Sequence, residues 1–238
     1  MAAKAAGRVG SSPTLVLSQA PEVEAARRLV AALVAVDQER GSVRLAVAGG
    51  SAVRALRTAR EALPAGVWAR TRLTWVDERC VPFESPDSNR GEAYRCGALS
   101  ESAPPAFELP LTLDGESVER SLARVRGGLR EHFDDALDVT LLGMGPDGHI
   151  ASLFPGGAAL LDAPPDVRAL HVPDSPKPPA SRLTLTHSLL STAVAHVLLA
   201  VGESKRDALV RLMAGDAALP AVGLSGIVLV TDVDLGRA

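Results

Sequence analysis

Short apolar runs alternate along the chain with longer segments in which apolar residues recur every three or four positions. The short runs predict strands at residues 14–17, 45–48, 73–76, 139–142, 183–185, 194–201 and 227–230. The periodic segments predict helices at residues 21–38, 51–63, 88–99, 117–137 and 205–213. Because strands that are apolar throughout are buried on both faces, this alternation predicts an α/β fold with a mostly parallel sheet covered by helices.

The length and composition favour one large α/β domain over residues 1–238. A chain of 238 residues that is 47% hydrophobic can bury a substantial core. Proline-rich stretches occur at residues 102–110, 163–165 and 173–179. We expect these stretches to be loops beside a site rather than linkers between domains.

Charge and hydropathy exclude two classes of partner. A net charge of −3 provides no basic field for nucleic acid. No apolar run approaches the ~20 residues of a membrane span, and the first residues lack the apolar centre of a signal peptide. We therefore expect a soluble, cytoplasmic protein that binds neither nucleic acid nor membrane.

The cysteines and histidines lack the spacing of a metal site. Cys80 and Cys96 are typical of small apolar fillers, because a disulfide is unusual in a reducing compartment. The histidines are scattered without ligand spacing and stand at positions His132, His149, His171, His187 and His196. The sequence therefore predicts no bound metal.

Residues 143–148 spell the glycine pattern G-x-G-x-x-G directly after a predicted strand. In a dinucleotide-binding turn the third glycine opens a long crossover helix, and an acidic residue follows about 20 positions later. Here Pro155 stands seven residues after Gly148 and two glycines follow it, so a crossover helix cannot form. The turn therefore predicts no nicotinamide cofactor, and it presents Asp147 and His149 instead.

Polar residues follow three of the predicted strands. Gly-Gly-Ser stands at residues 49–51, Asp-Glu-Arg at residues 77–79, and the turn with Asp147 and His149 follows the next strand. Each has a plainer explanation by itself, namely a helix-starting turn, a solvated charged edge and an idle histidine. Because the carboxyl ends of parallel strands form one edge where ligands bind, their joint placement favours a site. We expect backbone N–H groups of residues 49–51 to face an anion and Ser51 to cap the next helix.

Lysine is rare in this chain, because 22 of its 25 basic residues are arginine. Two of the three lysines, Lys177 and Lys205, lie well inside the sequence. A lysine retained among arginines is suited to placing a compact charge on a phosphate group. Chance survival of the two lysines is the alternative.

Five segments of the chain resemble, in order and spacing, the signature segments of the 6-phosphogluconolactonase family. They are GGS at 49–51, WVDERCVPFESPDSN at 75–89, GMGPDGHIASLFPG at 143–156, DSPKPPASRLTLT at 174–186 and GESKRDAL at 202–209. The resemblance implies a Rossmann-like three-layer α/β/α fold, similar to that of glucosamine-6-phosphate deaminases, that uses no nicotinamide. It also implies a small sugar-phosphate lactone as the substrate and a monomer or small homo-oligomer as the assembly.

The resemblance also implies a catalytic pair. His149 matches the proposed general base of the family, which accepts a proton from water as that water attacks the lactone carbonyl. Asp147 either orients or polarises His149, or holds the turn through hydrogen bonds to backbone. The family mechanism uses water directly, and no nucleophile elbow of the form G-x-S-x-G is present.

Cationic residues of the matching segments are candidate substrate contacts. Arg79 and Lys177 match positions that contact substrate, and the sequence leaves open which of them binds the phosphate and which the oxyanion. Arg182 is either a ligand or a structural partner of the proline loop, and Lys205 either reaches the phosphate or lies on the surface. The other candidate contacts are Gly49, Gly50, Ser51 and Asn89.

Two other functions stay open at this point. A sibling amino-sugar-phosphate deaminase needs a glutamate shortly after the Gly-His turn, but residues 152–155 read SLFP and contain no carboxylate. Asp77 matches the base that acts on sugar C2 in those enzymes, so we keep it as a candidate catalytic residue. A non-catalytic sugar-phosphate-binding protein would retain the phosphate contacts but has no need of His149.

Overall fold

Seven strands form the main sheet, and every neighbouring pair in it is parallel. The computed structural model describes residues 12–157 and 163–236. The strands are β1 (Thr14–Leu17), β2 (Val43–Val47), β3 (Thr71–Trp75), β5 (Phe107–Leu109), β6 (Val139–Gly143), β9 (Ala195–Ala200) and β10 (Ile227–Thr231). Their order across the sheet is β1-β10-β9-β6-β2-β3-β5. The predicted α/β fold with a mostly parallel sheet is confirmed.

A second, three-stranded sheet lies beside the first and is antiparallel. It contains β4 (Asp77–Arg79), β7 (Ala169–Val172) and β8 (Arg182–Leu185), in the order β4-β8-β7. The strand predicted at residues 183–185 is confirmed, but it belongs to the antiparallel sheet. An apolar run shows that a strand is buried, but it does not identify the partner strand. Strands β4, β5 and β7 were not predicted, because charged residues or a histidine interrupt the apolar run in each of these short segments.

The helices follow the predicted order, with small differences in length. They are α1 (Pro21–Arg40), α2 (Ser51–Ala62), α3 (Ala65–Trp68), α4 (Asn89–Arg95), α5 (Val118–Phe133), α6 (His187–Leu190) and α7 (Arg206–Met213), with 3₁₀ turns at Glu203–Lys205 and Pro220–Gly223. The helix predicted at 117–137 ends early because Asp134 and Asp135 adopt φ values of 52° and 50°. Left-handed residues end an α-helix, and Asp tolerates this conformation better than most residues.

Helix α1 packs against α2 and against β2, β6, β9 and β10. Its inward residues Leu29 and Leu33 are fully buried, as are Leu45 and Val47 of β2. Full burial of one such side chain stabilises the fold by about 1.5–3 kcal/mol. This packing fixes the carboxyl ends of the central strands, which is where the predicted site residues lie.

A buried carboxylate holds the opposite, amino-terminal edge of the main sheet. Asp138 precedes β6, and its oxygens accept hydrogen bonds from Arg44 N (2.8 Å), Nε (3.0 Å) and Nη2 (2.8 Å). Arg40 also forms an ion pair with this carboxylate. Burial raises the pKa of Asp138, but the hydrogen bonds and charges of the two arginines outweigh burial, so the pKa is lower than usual.

We expect Asp138→Asn to lower the free energy of unfolding by about 3 kcal/mol at pH 7, because it leaves buried arginine charge without compensation. The pKa of Asp138 is depressed in the folded state. Its stabilisation is therefore present above the unfolded pKa near 3.9 and is lost as the pH falls through the folded pKa. Urea unfolding at pH 7 and at lower pH checks this.

The matched control is Asp207→Asn, which changes an exposed carboxylate on α7. It should alter the free energy of unfolding by less than about 0.5 kcal/mol. A deficit of Asp138→Asn that stays constant as the pH is lowered would contradict the proposed ion-pair origin.

Candidate active site

A cleft of about 600 Å³ lies between the carboxyl ends of β2, β6 and β9 and the strands β4 and β8 of the small sheet. Ten of the eleven predicted site residues line this cleft. They are Gly49, Gly50, Ser51, Asp77, Arg79, Asn89, His149, Lys177, Arg182 and Lys205. The eleventh, Asp147, contacts the site through a hydrogen bond with His149. The structure thus brings together residues that are up to 156 positions apart in the chain.

His149 and Asp147 form a close pair in the turn after β6. The distance from His149 Nδ1 to Asp147 Oδ1 is 2.6 Å. A carboxylate only accepts hydrogen bonds, so Nδ1 carries the proton and Nε2 is left with its lone pair. Nε2 makes no hydrogen bond within the described residues, and the ring lines the cleft. This is the arrangement of an oriented general base.

The pair depends on a glycine at position 145. A Cβ atom at Gly145 would lie 2.1 Å from His149 Nδ1 and 2.5 Å from Asp147 Oδ1. Any larger residue would therefore displace both side chains. Gly148 adopts a φ of 89°, a conformation that favours glycine over residues with a Cβ atom. Two of the three glycines in the dinucleotide-like pattern, Gly145 and Gly148, are thus required by the geometry of this turn.

Burial and charge act in opposite directions on this pair. Burial lowers the pKa of His149, while the hydrogen bond and charge of Asp147 raise it, and the net pKa lies below the usual value. Burial raises the pKa of Asp147, whereas the hydrogen bond from His149 and the charges of His149 and Lys177 lower it. The lowering is the larger effect, so the pKa of Asp147 lies below its usual value. At neutral pH the imidazole is therefore neutral and the carboxylate is ionised, as a base and its orienting partner require.

Two lysines stand near the pair. Lys177 Nζ lies 3.5 Å from Asp147 Oδ1. Lys205 ends the 3₁₀ turn before α7 and also lines the cleft. Burial and the neighbouring charge of Lys177 lower the pKa of Lys205. Two ammonium groups that repel each other are suited to an anion that neutralises both.

Arg182 is committed to the loop that carries Lys177. Its Nε donates to Pro179 O (3.0 Å), and its Nη2 donates to Lys177 O (2.9 Å) and Pro178 O (3.2 Å). Its Nη1 lies 3.7 Å from Asp77 Oδ2. These contacts favour the structural alternative for Arg182, because most of its donors are already used.

Asp77 is buried and is held by its neighbours. Ser152 Oγ donates to Asp77 Oδ2 (2.7 Å), and Asn89 Nδ2 donates to the backbone oxygen of Asp77 (2.9 Å). Asn89 Oδ1 is buried and has no partner among the described residues. A Cβ atom at Gly49 would lie 1.9 Å from this oxygen, so only glycine allows Asn89 to occupy this place.

Arg79 retains free donors at the cleft. Its Nη1 donates to Asp87 O at 2.6 Å, which fixes the direction of the side chain. Its Nε is buried and unpaired within the described part of the chain. A buried guanidinium donor without a partner is costly unless a ligand supplies one. Arg79 is thus better placed than Arg182 to bind an anion.

The N-terminus of α2 differs from the prediction. Ser51 was expected to cap this helix, but the cap position belongs to Gly50, and Ser51 is the first helical residue. Gly50 has a φ of 64°, a conformation that favours glycine over residues with a Cβ atom. Its N–H donates to Glu92 Oε2 at 3.1 Å. The prediction failed because the turn requires left-handed backbone at Gly50, which moves the cap one residue earlier.

The cleft is also lined by residues that were not among the predicted site residues, including Arg54, Met144 and Ala151. Arg54 stands three positions after Ser51, and this spacing on a predicted helix is the signal that could have found it. Ala151 adopts a left-handed φ of 51°. Nothing in the sequence marks an alanine for that conformation.

The described residues contain no group of three or more His, Cys, Asp or Glu side chains that could hold a metal ion. Two histidines outside the cleft have other partners. His196 Nδ1 lies 2.7 Å from Thr140 Oγ1, and His171 Nε2 lies 2.9 Å from Ser181 Oγ. Within the described part of the chain, no helix combines the length and apolar character needed to cross a membrane.

Comparison with known sequences gives a consistent family. The profile described as "Glucosamine-6-phosphate isomerases/6-phosphogluconolactonase" matches residues 18–229. A probable chloroplastic 6-phosphogluconolactonase 3 of Oryza sativa subsp. indica is 36% identical over 184 residues, which are 71% of this chain and 55% of the rice protein. The chain thus spans little more than half the length of that relative. The 6-phosphogluconolactonase of Rattus norvegicus is 35% identical over 233 residues, which are 93% of this chain and 88% of the rat protein.

Solved structures share the fold. A crystal structure of 6-phosphogluconolactonase from Thermotoga maritima has a TM-score of 0.80 at 22% identity, covering 92% of this chain and 99% of that one. A monomeric glucosamine-6-phosphate deaminase has a TM-score of 0.68 at 19% identity, covering 93% and 97%. The fold is therefore common to a lactonase and a deaminase, and the side chains of the cleft must distinguish the two activities.

We expect Asp147→Asn to lower the pKa of His149 further, because the carboxylate's hydrogen bond and charge both raise it. The ring resonances of His149, followed by NMR as the pH is changed, measure this directly. Asp166→Asn, which changes an exposed carboxylate outside the cleft, is the control and should leave the titration of His149 as in the parent. A rise of the pKa in Asp147→Asn would contradict the pairing.

Proposed function

Because the chain belongs to the family of glucosamine-6-phosphate isomerases and 6-phosphogluconolactonases, we propose that it hydrolyses 6-phospho-D-glucono-1,5-lactone to 6-phosphogluconate. This reaction belongs to the oxidative pentose phosphate pathway. We place the reaction in the cytoplasm, in a monomer or small homo-oligomer, and treat residues 1–238 as one domain. The observation that carries the proposal is the oriented base His149 in a cleft lined by cations.

The chemistry begins with a water molecule between His149 Nε2 and the lactone carbonyl carbon. His149 Nε2 takes a proton from this water molecule while the oxygen of the water forms a bond to the carbonyl carbon. Asp147 stabilises the imidazolium that results, since its carboxylate already accepts the Nδ1 proton. The carbonyl oxygen becomes an oxyanion, and a nearby cation stabilises it.

The second half of the reaction returns the proton. As the tetrahedral intermediate collapses, the bond between the carbonyl carbon and the ring oxygen breaks. The imidazolium of His149 gives its proton to the departing ring oxygen, which becomes the hydroxyl group of the open product. The acid product ionises in water, and His149 is again neutral. No covalent enzyme intermediate is needed.

The positions of the cations suggest a division of their roles. Lys177 lies beside the His149–Asp147 pair, so we assign it to the oxyanion that forms within reach of the base. Arg79 lies on β4 and has an unpaired Nε donor suited to a second anionic or polar group of the substrate. Lys205 adds a further ammonium for the phosphate. Arg182 holds the loop of Lys177 and therefore acts through that residue.

The deaminase alternative finds less support in the same cleft. Ring opening and proton transfer at sugar C2 need additional acid and base groups, but residues 152–155 provide no carboxylate. Asp77 is the residue that favours this alternative, and it does line the cleft. Its Oδ2 accepts a hydrogen bond from Ser152, and Arg182 lies beside it, so Asp77 is positioned as a structural anchor.

A coupled assay distinguishes the two activities. The purified protein is given freshly generated 6-phosphogluconolactone in one arm and glucosamine 6-phosphate in the other. We expect lactone hydrolysis well above the spontaneous rate and no release of ammonia. Ammonia release without enzymatic lactone hydrolysis would overturn the assignment, and binding of the lactone product without turnover of either substrate would favour the non-catalytic alternative.

We expect His149→Asn to reduce kcat by roughly 10²–10⁴, because it removes the basic nitrogen. KM should change little, since asparagine keeps a polar side chain of similar reach. Stopped or continuous assays must subtract the spontaneous hydrolysis of the lactone. A variant that retains most of the parental kcat would identify a different base.

The pH profile provides a second readout of the same variant. The base acts as the neutral imidazole, so kcat/KM should fall as the pH drops through the pKa of His149. Burial lowers that pKa, and the fall should therefore occur below about 6.5. The substrate phosphate titrates near pH 6 and can produce a similar limb. In His149→Asn the histidine limb should vanish from the residual catalysed rate, while a phosphate limb would remain.

A further inference from the structure

Arg54 is a cation of the cleft that neither the sequence motifs nor the mechanism uses. It lies on the first turn of α2, three residues after Ser51, and it lines the cleft together with Gly50 and Ser51. Its side chain is 54% exposed, so it belongs to the entrance of the cleft rather than to its floor. The lysines and His149 lie on other elements that border the same space.

A carboxylate from another helix holds the guanidinium of Arg54. Arg54 Nε donates to Glu22 Oε1 at 2.9 Å, and Arg54 Nη2 lies 2.8 Å from the same oxygen. Glu22 belongs to the first turn of α1, which packs against α2. Arg54 Nη1 makes no hydrogen bond within the described residues. The ion pair thus restrains a long side chain and leaves part of its donor fork free.

The side chains that line the cleft carry mostly positive charge, which favours an anion as the partner of Arg54 Nη1. In the described part of the chain, the cationic side chains that line the cleft are Arg54, Arg79, Lys177, Arg182 and Lys205, and the anionic one is Asp77. The whole chain carries a net charge of −3, so positive charge is concentrated here. Near Arg54 the N-terminal end of α2 adds partial positive charge. Glu22 and Glu92 offset part of the positive charge at this end, but over the whole lining of the cleft the cations outnumber the carboxylate, which favours an anionic ligand group.

We propose that Arg54 is a specificity-determining residue that selects the phosphorylated lactone by binding its phosphate group at the entrance of the cleft. The proposal rests on the hydrolytic function proposed above. The planar guanidinium matches two phosphate oxygens, a geometry that an ammonium group cannot supply. Glu22 acts as a positioning residue, since it orients Arg54 without contacting the substrate. Arg54 contributes to binding and not to the chemical step, because its recorded partner is Glu22 and it makes no hydrogen bond with His149 or Asp147.

The selectivity between two lactones tests this role. The two substrates are 6-phosphogluconolactone and glucono-1,5-lactone, which has the same ring without the phosphate. We expect Arg54→Gln to lower the ratio of their kcat/KM values about tenfold, as the loss of one charge-assisted contact predicts. The effect should appear in KM for the phosphorylated lactone. Arg54→Lys should restore only part of the ratio, because it keeps the charge and loses the fork.

Arg57→Gln is the matched control. Arg57 lies on the same helix, pairs with Glu61 at 3.9 Å and does not line the cleft. Arg57→Gln removes the same charge as Arg54→Gln but from a position outside the cleft. If the position of the charge matters and not the net charge, Arg57→Gln should keep the parental ratio of kcat/KM values. Glu22→Gln should lower the ratio less than Arg54→Gln does, and adding it to Arg54→Gln should have no further effect. Thermal unfolding midpoints of Arg54→Gln and Arg57→Gln should agree within a few degrees.

An unchanged ratio in Arg54→Gln, or an equal loss on both lactones, would overturn the role of Arg54. If the parent hydrolyses neither lactone, the proposed function fails, and calorimetry with 6-phosphogluconate tests Arg54 separately. Arg54→Gln should then bind this ligand about tenfold more weakly than the parent and than Arg57→Gln. Equal affinities of the three proteins, or no binding to the parent, would overturn the inference.

Discussion

The chemistry that we propose for this cleft depends on the hydrogen bond between His149 and Asp147. This bond fixes which ring nitrogen carries a proton, and it leaves the other nitrogen as a base beside the cleft. The bond is possible because position 145 has no side chain. Burial alone would make the imidazole a weaker base, and the neighbouring carboxylate limits that loss. The same carboxylate attracts Lys177, so one short turn organises both the base and a cation that can stabilise an oxyanion.

A second set of contacts joins the two sheets around this turn. Val76 connects β3 with β4. Its N–H donates to Val47 O in the parallel sheet, and its carbonyl oxygen accepts a hydrogen bond from Leu185 N in the antiparallel sheet. Arg182 then links β8 to the loop of Lys177, and its proximity to Asp77 links that loop back to β4. The small antiparallel sheet, which is the frame of the site, thus positions Arg79, Arg182 and the loop of Lys177 at the carboxyl ends of the parallel strands. Asp77 is most simply understood as part of this frame.

Two buried polar groups at opposite edges of the main sheet differ in how well they are satisfied. Asp138 with Arg40 and Arg44 stabilises the amino-terminal edge of the main sheet, and both oxygens of this carboxylate accept hydrogen bonds. At the carboxyl edge, Arg79 Nε and Asn89 Oδ1 are buried and have no partner among the described residues. Buried polar atoms without partners are costly. They are tolerated where a ligand can satisfy them, and both of these atoms belong to residues of the cleft.

The sequence by itself determined the parallel sheet and the order of the main helices, because apolar periodicity is a local signal. The candidate residues that meet in the cleft came from the strand-end motifs together with the resemblance of five segments to a known family. The sequence did not determine the antiparallel sheet, since charged residues or a histidine interrupt the apolar run in the short strands β4 and β7 and partner choice depends on distant backbone. It also misplaced the cap of α2 and missed Arg54, whose position depends on how α1 and α2 pack. Tertiary structure alone decided that Arg182 serves the proline loop and that Asp147 faces His149. Such pairings arise from side-chain direction in three dimensions, which spacing along one chain does not specify.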